Sequence, residues 1–392
     1  MELTRQHKAK QLETNAYYLD LVCEKTGWDK TKAKEEMDRA KARGISYFNY
    51  ARRCVWELDE AAIEEILAGS KKETGRINDA KEKYIRLIRE ETGWSRGVAE
   101  LETLRTRVNC SASFEDIFNL RLFEKSPQEQ KKYITLGLFN MLRTKYDDFP
   151  IGLDIFDNKE NFNNRFRDFI HRKWFIMDGM SFEAFAENLQ GVRRIIVKPL
   201  DEMKGRGIEA FDLEGKESLR TVYGQLAGAG KRIVEEYIVQ HADMMSLCET
   251  AVNTVRVVTL NFHGDCRFLY AGIRIGRDGI VDNFHAGGVA TTIDTSTGIT
   301  FTDAVDIDGN RYEKSPATGA VIKGFQVPFW TEVCDVCRKA STIVEGVDLV
   351  GWDFAITPDG PELIEGNHRV GYAIGQVPGQ IGIAEEAVYP YL

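Results

Sequence analysis

Two runs near the end of the chain, Gly351-Trp352-Asp353-Phe354-Ala355-Ile356 and Leu363-Ile364-Glu365-Gly366-Asn367, alternate apolar with polar residues on either side of Pro358-Asp359-Gly360. Alternation of period two around a turn-forming triplet is the pattern of a β-hairpin. In a hairpin of this register Asp353 stands across from the neighbourhood of Glu365, and Glu365 and Asn367, two apart, share a face. Three oxygen ligands therefore converge on one patch of sheet, and two of them are carboxylates in an otherwise apolar setting. That arrangement is costly without a counter-charge, which a hard divalent cation such as Mg²⁺ supplies. A solvated hairpin whose polar face points at water is the competing reading. Trp352, Phe354 and Ile364 argue instead for burial on at least one side.

A chain of 392 residues with 43% hydrophobic content has room for two or three cored domains. The net charge of −9 argues against a general nucleic-acid partner. The first residues, Met1 to Lys8, are charged and lack an apolar stretch, so no signal peptide is expected, and no apolar run reaches membrane-spanning length. Seven scattered cysteines, an odd number without a dense framework, fit a reducing cytoplasm. Cys334 and Cys337 have the spacing of half a zinc or redox site. They fall in a helical pattern with Val333, Val336 and Ala340, and no second pair or histidine follows, so a core-facing pair of thiols is the better reading.

Residues 1–147 read as helical throughout. Glu24-Lys25-Thr26-Gly27-Trp28-Asp29 recurs 66 positions later as Glu90-Glu91-Thr92-Gly93-Trp94-Ser95. In each copy Thr-Gly ends a helix, glycine taking the left-handed position, and Asp29 or Ser95 caps the next. Ile45-Ser46-Tyr47-Phe48 stands at the same offset as Ser111-Ala112-Ser113-Phe114, which makes a helix-turn-helix unit used twice, with Trp28 and Trp94 packing equivalent corners. Ser126-Pro127 starts a further helix, expected to run to about Lys145. The Lys and Glu pairs on these helices, such as Lys32 to Glu36, read as solvated faces. Substrate cover, partner docking and scaffolding all stay open as roles for this part.

From about Phe149 strands alternate with helices. Arg194 to Pro199 is a β-branched strand carrying Lys198, and Met203-Lys204-Gly205-Arg206-Gly207 is a glycine-containing turn into the next strand. Glycines there let backbone N–H groups approach phosphate oxygens, with Lys198 as a point charge, although a lysine before Gly-x-Gly is by itself weak. Arg232 to Ile238 is a strand presenting Glu235 or Glu236 and backbone groups at its end. In Val252 to Leu260, Arg256 sits among apolar residues and needs an anionic partner, either a phosphoryl group or an internal salt bridge. Next come Ala271 to Ile275 with Arg274, and Val281-Asp282-Asn283-Phe284-His285-Ala286-Gly287-Gly288, whose double glycine implies a tight bend. His285 has no visible catalytic partner and reads as a structural or substrate-contact histidine.

The succession Lys198-Pro, Gly-x-Gly, Glu235-Glu-Tyr-Ile, Asn253-Thr-x-Arg256, Asp282-Asn with Gly-Gly288, Gly351-Trp-Asp353 and Glu365-Gly-Asn367 resembles the ATP-grasp superfamily. It looks most like the sugar-transfer-associated branch found with polysaccharide and teichuronopeptide synthesis genes. The resemblance covers about residues 150–390 and is most specific at Asp…Glu-x-Asn. It implies an α+β, two-lobed fold gripping ATP between antiparallel sheets, here as residues 148–392 preceded by the all-α repeat of 1–147. It also implies two Mg²⁺ ions and ligation of a carboxylate to an amine through an acyl phosphate.

Carried over by position, Lys159 resembles the first ATP lysine and Lys198 the second. Gly205 and Gly207 correspond to the phosphate loop. Glu235, Glu236, Tyr237 and Ile238 resemble the segment holding adenine and ribose, and Asn283 belongs with the nucleotide contacts. Asp353, Glu365 and Asn367 match the metal ligands, and Arg256 and Arg274 the arginines on the phosphate and substrate side. The chain departs from the pattern in carrying a helical repeat where a small α/β domain is usual, and Ser315-Pro316 where relatives often have His-Pro.

The expected protein is thus a cytoplasmic ATP- and Mg²⁺-dependent ligase acting on a small-molecule carboxylate and a nucleophilic acceptor, with no nucleic-acid or membrane partner. The alternatives are a kinase for a small-molecule hydroxyl, with His285 or Asp282 as base, and a nucleotide-binding pseudoenzyme.

Overall fold

The structure is a computed structural model describing residues 19–20, 22–23, 26–42, 50, 78–146, 149–199, 207–213, 215–228, 231–277 and 287–392, with backbone alone for 149, 150, 153 and 215–217. The architecture is α+β, with helices first and antiparallel sheets after them. Eleven strands are formed among the described residues. They are β1 (Trp174–Met177), β2 (Arg194–Pro199), β3 (Glu209–Asp212), β4 (Arg232–Glu236), β5 (Thr254–Phe262), β6 (Asp265–Ile275), β7 (Val289–Ile293), β8 (Ala304–Val305), β9 (Arg311–Tyr312), β10 (Leu349–Thr357) and β11 (Gly360–Asn367). A four-stranded sheet has the order β1-β4-β2-β3, and a seven-stranded sheet the order β11-β10-β5-β6-β7-β8-β9.

The strands follow the local chemistry. β5 and β6 join through His263 and Gly264, both at positive φ (54° and 85°), the pair of left-handed residues that a tight hairpin of matching twist requires. β10 and β11 turn at Pro358-Asp359, with Thr357 opposite Gly360 and the Thr357 hydroxyl donating to the Gly360 carbonyl at 2.9 Å. Asp353 pairs directly with Glu365, and the next pair is Phe354 with Leu363, so Ile364 is the extra residue of a β-bulge.

The two faces of the large sheet serve different cores. One face, with Val255, Val257, Ile273, Trp352 and Phe354, is covered by Phe156, Phe162 and Phe166 and by the helix Trp330–Ala340. Cys334 and Cys337 point into that core as expected, and burial raises both thiols, Cys334 to about 11. At one end of the other face, Ile134, Phe139 and Leu142 meet Val258, Leu260, Tyr270, Leu349 and the C-terminal Ala384, Ala387 and Val388.

Both copies of the repeated corner are built alike. Gly27 and Gly93 take positive φ (69° and 70°) and donate back to Cys23 and Arg89 at 2.9 Å. Thr26 and Thr92 donate to the Val22 and Ile88 carbonyls and accept from Trp28 and Trp94 N–H. Asp29 and Ser95 then accept from the first turn of the next helix, at Lys32 and Val98. The indoles differ: Trp28 carries Lys32 over its ring, whereas Trp94 meets Phe123 edge-on. Glu24, Lys25 and residues 45–48 lie outside the described residues.

Two expectations are corrected. The helix begun at Ser126-Pro127 stops at Gln130, and a new one runs Leu136–Tyr146. Between them the buried Gln376 carboxamide accepts from Ile134 N–H at 2.7 Å and donates to its carbonyl at 3.0 Å, taking both groups a continuous helix would use. The chain also divides into the compact units Met1–Arg86 and Leu87–Leu392. The boundary expected at 147/148 falls inside the second unit, because helix Leu136–Tyr146 completes the core of the large sheet. No helix among the described residues is long and apolar enough to cross a membrane.

Candidate functional site

The Asp353–Glu365 pairing puts both carboxylates on one face, and Asn367, opposite Gly351 and two residues on, shares it. Asn367 Nδ2 donates to Glu365 Oε1 at 3.3 Å. Arg256 is the cross-strand partner of Asp353 on β5, and Arg274 lies on the same face of β6, opposite Thr254. Arg256 binds both Asp353 oxygens, through Nε to Oδ1 and through Nη2 to Oδ2 at 2.5 Å, and Arg274 Nη2 reaches Oδ2 at 2.7 Å. Asp353 is fully buried. Burial opposes its charge, but the two guanidiniums outweigh that and hold it at about 2. The internal salt bridge is therefore formed, and its partner is a proposed metal ligand.

Glu365 is an exposed residue, yet its carboxyl accepts from Asn367 and lies beside Asp353, Arg256 and Arg274. Withdrawal from bulk water, and then the Asp353 charge, raise it above the usual carboxylate range. The donor set fits a hard cation in kind: two carboxylates and an amide share a face, and the Glu365 acid is raised by withdrawal from water and then by the neighbouring Asp353 charge.

On the small sheet, Glu235 is buried in β4 and engaged internally. Its Oε1 accepts from Arg172 Nε at 3.0 Å and Nη2 at 2.5 Å, and its Oε2 pairs with Lys198 Nζ from the neighbouring β2. Burial raises the Glu235 carboxyl, and Arg172 followed by Lys198 overcomes this to hold it at about 2. Asn163, one turn along the helix Lys159–Arg165, adds a contact to Oε1 at 3.5 Å. Lys159 opens that helix, which Asp157 anchors by its ion pair with Arg369 just beyond β11. Lys198 is thus held at the Glu235 node and is less exposed than a solvated lysine would be, while Lys159 begins the helix whose Asn163 reaches the same carboxylate.

Glu236 ends the inner strand β4 and Tyr237 follows it, their N–H groups donating to the Lys173 and Arg194 carbonyls, and Ile238 continues the departing chain. The Arg194 guanidinium stacks 4.2 Å from the Tyr237 ring. Gly207 has φ +67°, a left-handed conformation that glycine adopts without strain. Gly205, Asp282, Asn283 and His285 lie outside the described residues.

Sequence reasoning missed Arg172, Glu362 and Asn163. Arg172 reads as one basic residue in His171-Arg172-Lys173, and its partners lie 63 and 190 positions away, so no local pattern could have marked it.

The profile of the family described as sugar-transfer associated ATP-grasp matches residues 175–388. No curated protein matches the chain. Similar solved structures include the ATP-grasp ligase PsnB complexed with a precursor peptide and AMPPNP, at a TM-score of 0.35 and 16% identity over 58% of this chain and 54% of that one. D-cycloserine synthetase DcsG gives 0.36 and 10% identity over 61% and 72%. The D-alanine–D-alanine ligase from Bacillus anthracis gives 0.31 and 14% over 56% and 58%. The chain thus spans little more than half the length of PsnB.

Proposed function

This chain belongs to the sugar-transfer associated ATP-grasp family, and from that premise we propose that it is an ATP- and Mg²⁺-dependent ligase joining a carboxylate to an amine or another nucleophile. The observation that carries the reading is the Asp353–Glu365 pair with Asn367 on its face, backed by Arg256 and Arg274. Asp353, Glu365 and Asn367 would hold the cations. Mg²⁺ typically keeps few protein carboxylates and completes its shell with water and phosphate oxygens, which suits so small a donor set. When bound it neutralises charge on the phosphates.

In this reading Lys198 from the small sheet and Lys159 from the helix Lys159–Arg165 hold the phosphates, with the backbone of Gly205 and Gly207 beside them. Lys198 exchanges Glu235 for a phosphate oxygen as nucleotide enters. The segment Glu235 to Ile238 carries adenine on its backbone, Glu236 supplies the carboxylate nearest the ribose, and Asn283 joins the nucleotide contacts. Arg256 and Arg274 face the transferring group and steady the charge that builds on it. The substrate carboxylate oxygen bonds to the γ-phosphorus as the bond to ADP breaks, giving an acyl phosphate. The acceptor then bonds to the acyl carbon, phosphate leaves, and the acceptor's proton passes to solvent. No protein nucleophile is needed.

Product analysis tests this. Incubation with ATP, Mg²⁺ and panels of acids and amines should release ADP and phosphate together with an amide or ester seen by mass spectrometry. A stable phosphorylated alcohol would make the protein a kinase instead, and nucleotide binding without product a pseudoenzyme.

A further inference from the structure

The two sheets carry different halves of the proposed site, and one buried side chain spans them. Arg172, just before β1 and before the matched span, is 4% exposed. At one end its guanidinium holds Glu235 Oε1 on β4. At the other, Nη1 donates to Glu362 Oε1 at 2.8 Å and to the Leu363 carbonyl at 2.7 Å, both on β11. Glu362 also accepts from the backbone N–H of His171, at 3.0 Å, and of Arg172, at 3.2 Å, so the Arg172 backbone and side chain are pinned together.

The bulge at Ile364 makes this possible. Glu362 pairs with Ala355 and Glu365 with Asp353, two residues apart on β10, so Glu362 and Glu365 lie on one face although three apart in sequence. Without the extra residue Glu362 would point to the opposite face. At the Glu235 end stand Lys198 directly and Asn163 of the helix Lys159–Arg165. Arg172, Lys198, Glu235 and Glu362 form a closed set of two cations and two anions, in which Lys198 is the most exposed member, at 18%. A planar guanidinium fork reaches two carboxylates and a carbonyl at once, whereas an ammonium is a single point charge.

We infer that Arg172 is a positioning residue that sets Lys198, the phosphate-holding lysine of the small sheet, at a fixed distance from the cation ligands of β11, so that nucleotide and Mg²⁺ bind cooperatively. The inference rests on the ATP and cation reading of the site.

The test is calorimetric binding of AMPPNP to the full chain, with and without Mg²⁺, for wild type, Arg172→Lys and Glu362→Gln, each checked by thermal unfolding. Wild type should bind AMPPNP more tightly with Mg²⁺. In the variants, affinity without Mg²⁺ should stay within about twofold of wild type, while the tightening by Mg²⁺ shrinks about tenfold. Undiminished tightening in folded variants would overturn the inference. So would an equal loss of affinity with and without Mg²⁺, which marks a pin of the fold alone. Should Arg172→Lys not fold, Glu362→Gln decides the matter, since it keeps an accepting oxygen and the Arg172–Glu235 contact. A wild-type protein that binds no AMPPNP would defeat the ATP reading itself, and this inference with it.

Discussion

Asp353 and Glu235 show how single carboxylates are kept charged inside this protein. Each is buried, each is held at about 2, and in each the cause is a pair of basic side chains that outweighs desolvation. Glu365 is the opposite case, raised by crowding and by its neighbour Asp353. Glu365→Gln should therefore leave the unfolding midpoint unchanged or slightly higher, since it removes a charge that opposes Asp353. It should weaken Mg²⁺-dependent AMPPNP binding by about a hundredfold or more. Calorimetry with near-wild-type Mg²⁺ dependence would remove Glu365 from the ligand set.

Glu235 yields a pH prediction with a definite sign. Its carboxyl titrates near 4.5 when unfolded and about 2 when folded, so the native state favours the charged form. The resulting stability, about 3 kcal/mol, is fully present above pH 4.5 and is lost as pH falls through 2. Denaturant unfolding between pH 5 and 2 should show that loss. Glu235→Gln should start less stable, because Arg172 and Lys198 lose their counter-charge, and should decline less steeply with acid.

Among the elements, the β10–β11 hairpin depends on glycine where aromatic rings press its back. A Cβ on Gly366, between Glu365 and Asn367, would stand 2.9 Å from ring atoms of both Phe156 and Phe162. Those rings are locked in a cluster with Phe166 and Trp352, so they cannot yield freely. Gly366→Ala should cost about 1–3 kcal/mol in unfolding free energy and loosen the Mg²⁺ dependence of nucleotide binding, since the ligand strand must shift. Wild-type values for both would mean that the cluster is softer than its packing indicates.

At the scale of the whole molecule, the helical and sheet regions cannot be parted at residue 147. A fragment 148–392 would leave Val258, Leu260 and Leu349 without Ile134, Phe139 and Leu142. It would also strip Gln376 of Ile134 and Tyr372 of its Asp116 acceptor. That fragment should be insoluble or unfold without cooperativity. A fragment 78–392, which keeps the helix 78–92 whole, should unfold as one unit and bind Mg·AMPPNP. Calorimetry and circular dichroism on the two fragments check this, and a stable, nucleotide-binding 148–392 would restore the earlier boundary.

The sequence by itself determined what rests on neighbours close along the chain. The Thr-Gly corners at 26–27 and 92–93, the caps at Asp29 and Ser95, the turn at 358–359 and the face shared by Asp353, Glu365 and Asn367 all follow from periodicity, capping and turn chemistry. These features were legible because their energetics are settled within a few residues or across one hairpin. Tertiary structure alone decided what depends on partners far apart. It broke the helix after Gln130 by bringing Gln376 to Ile134, and it carried helix Leu136–Tyr146 into the core of the large sheet. It also turned Arg256 and Arg274 onto Asp353 and closed Arg172 between Glu235 and Glu362. A buried charge must find a counter-charge wherever the fold brings one, and no spacing along the chain records which residue that will be.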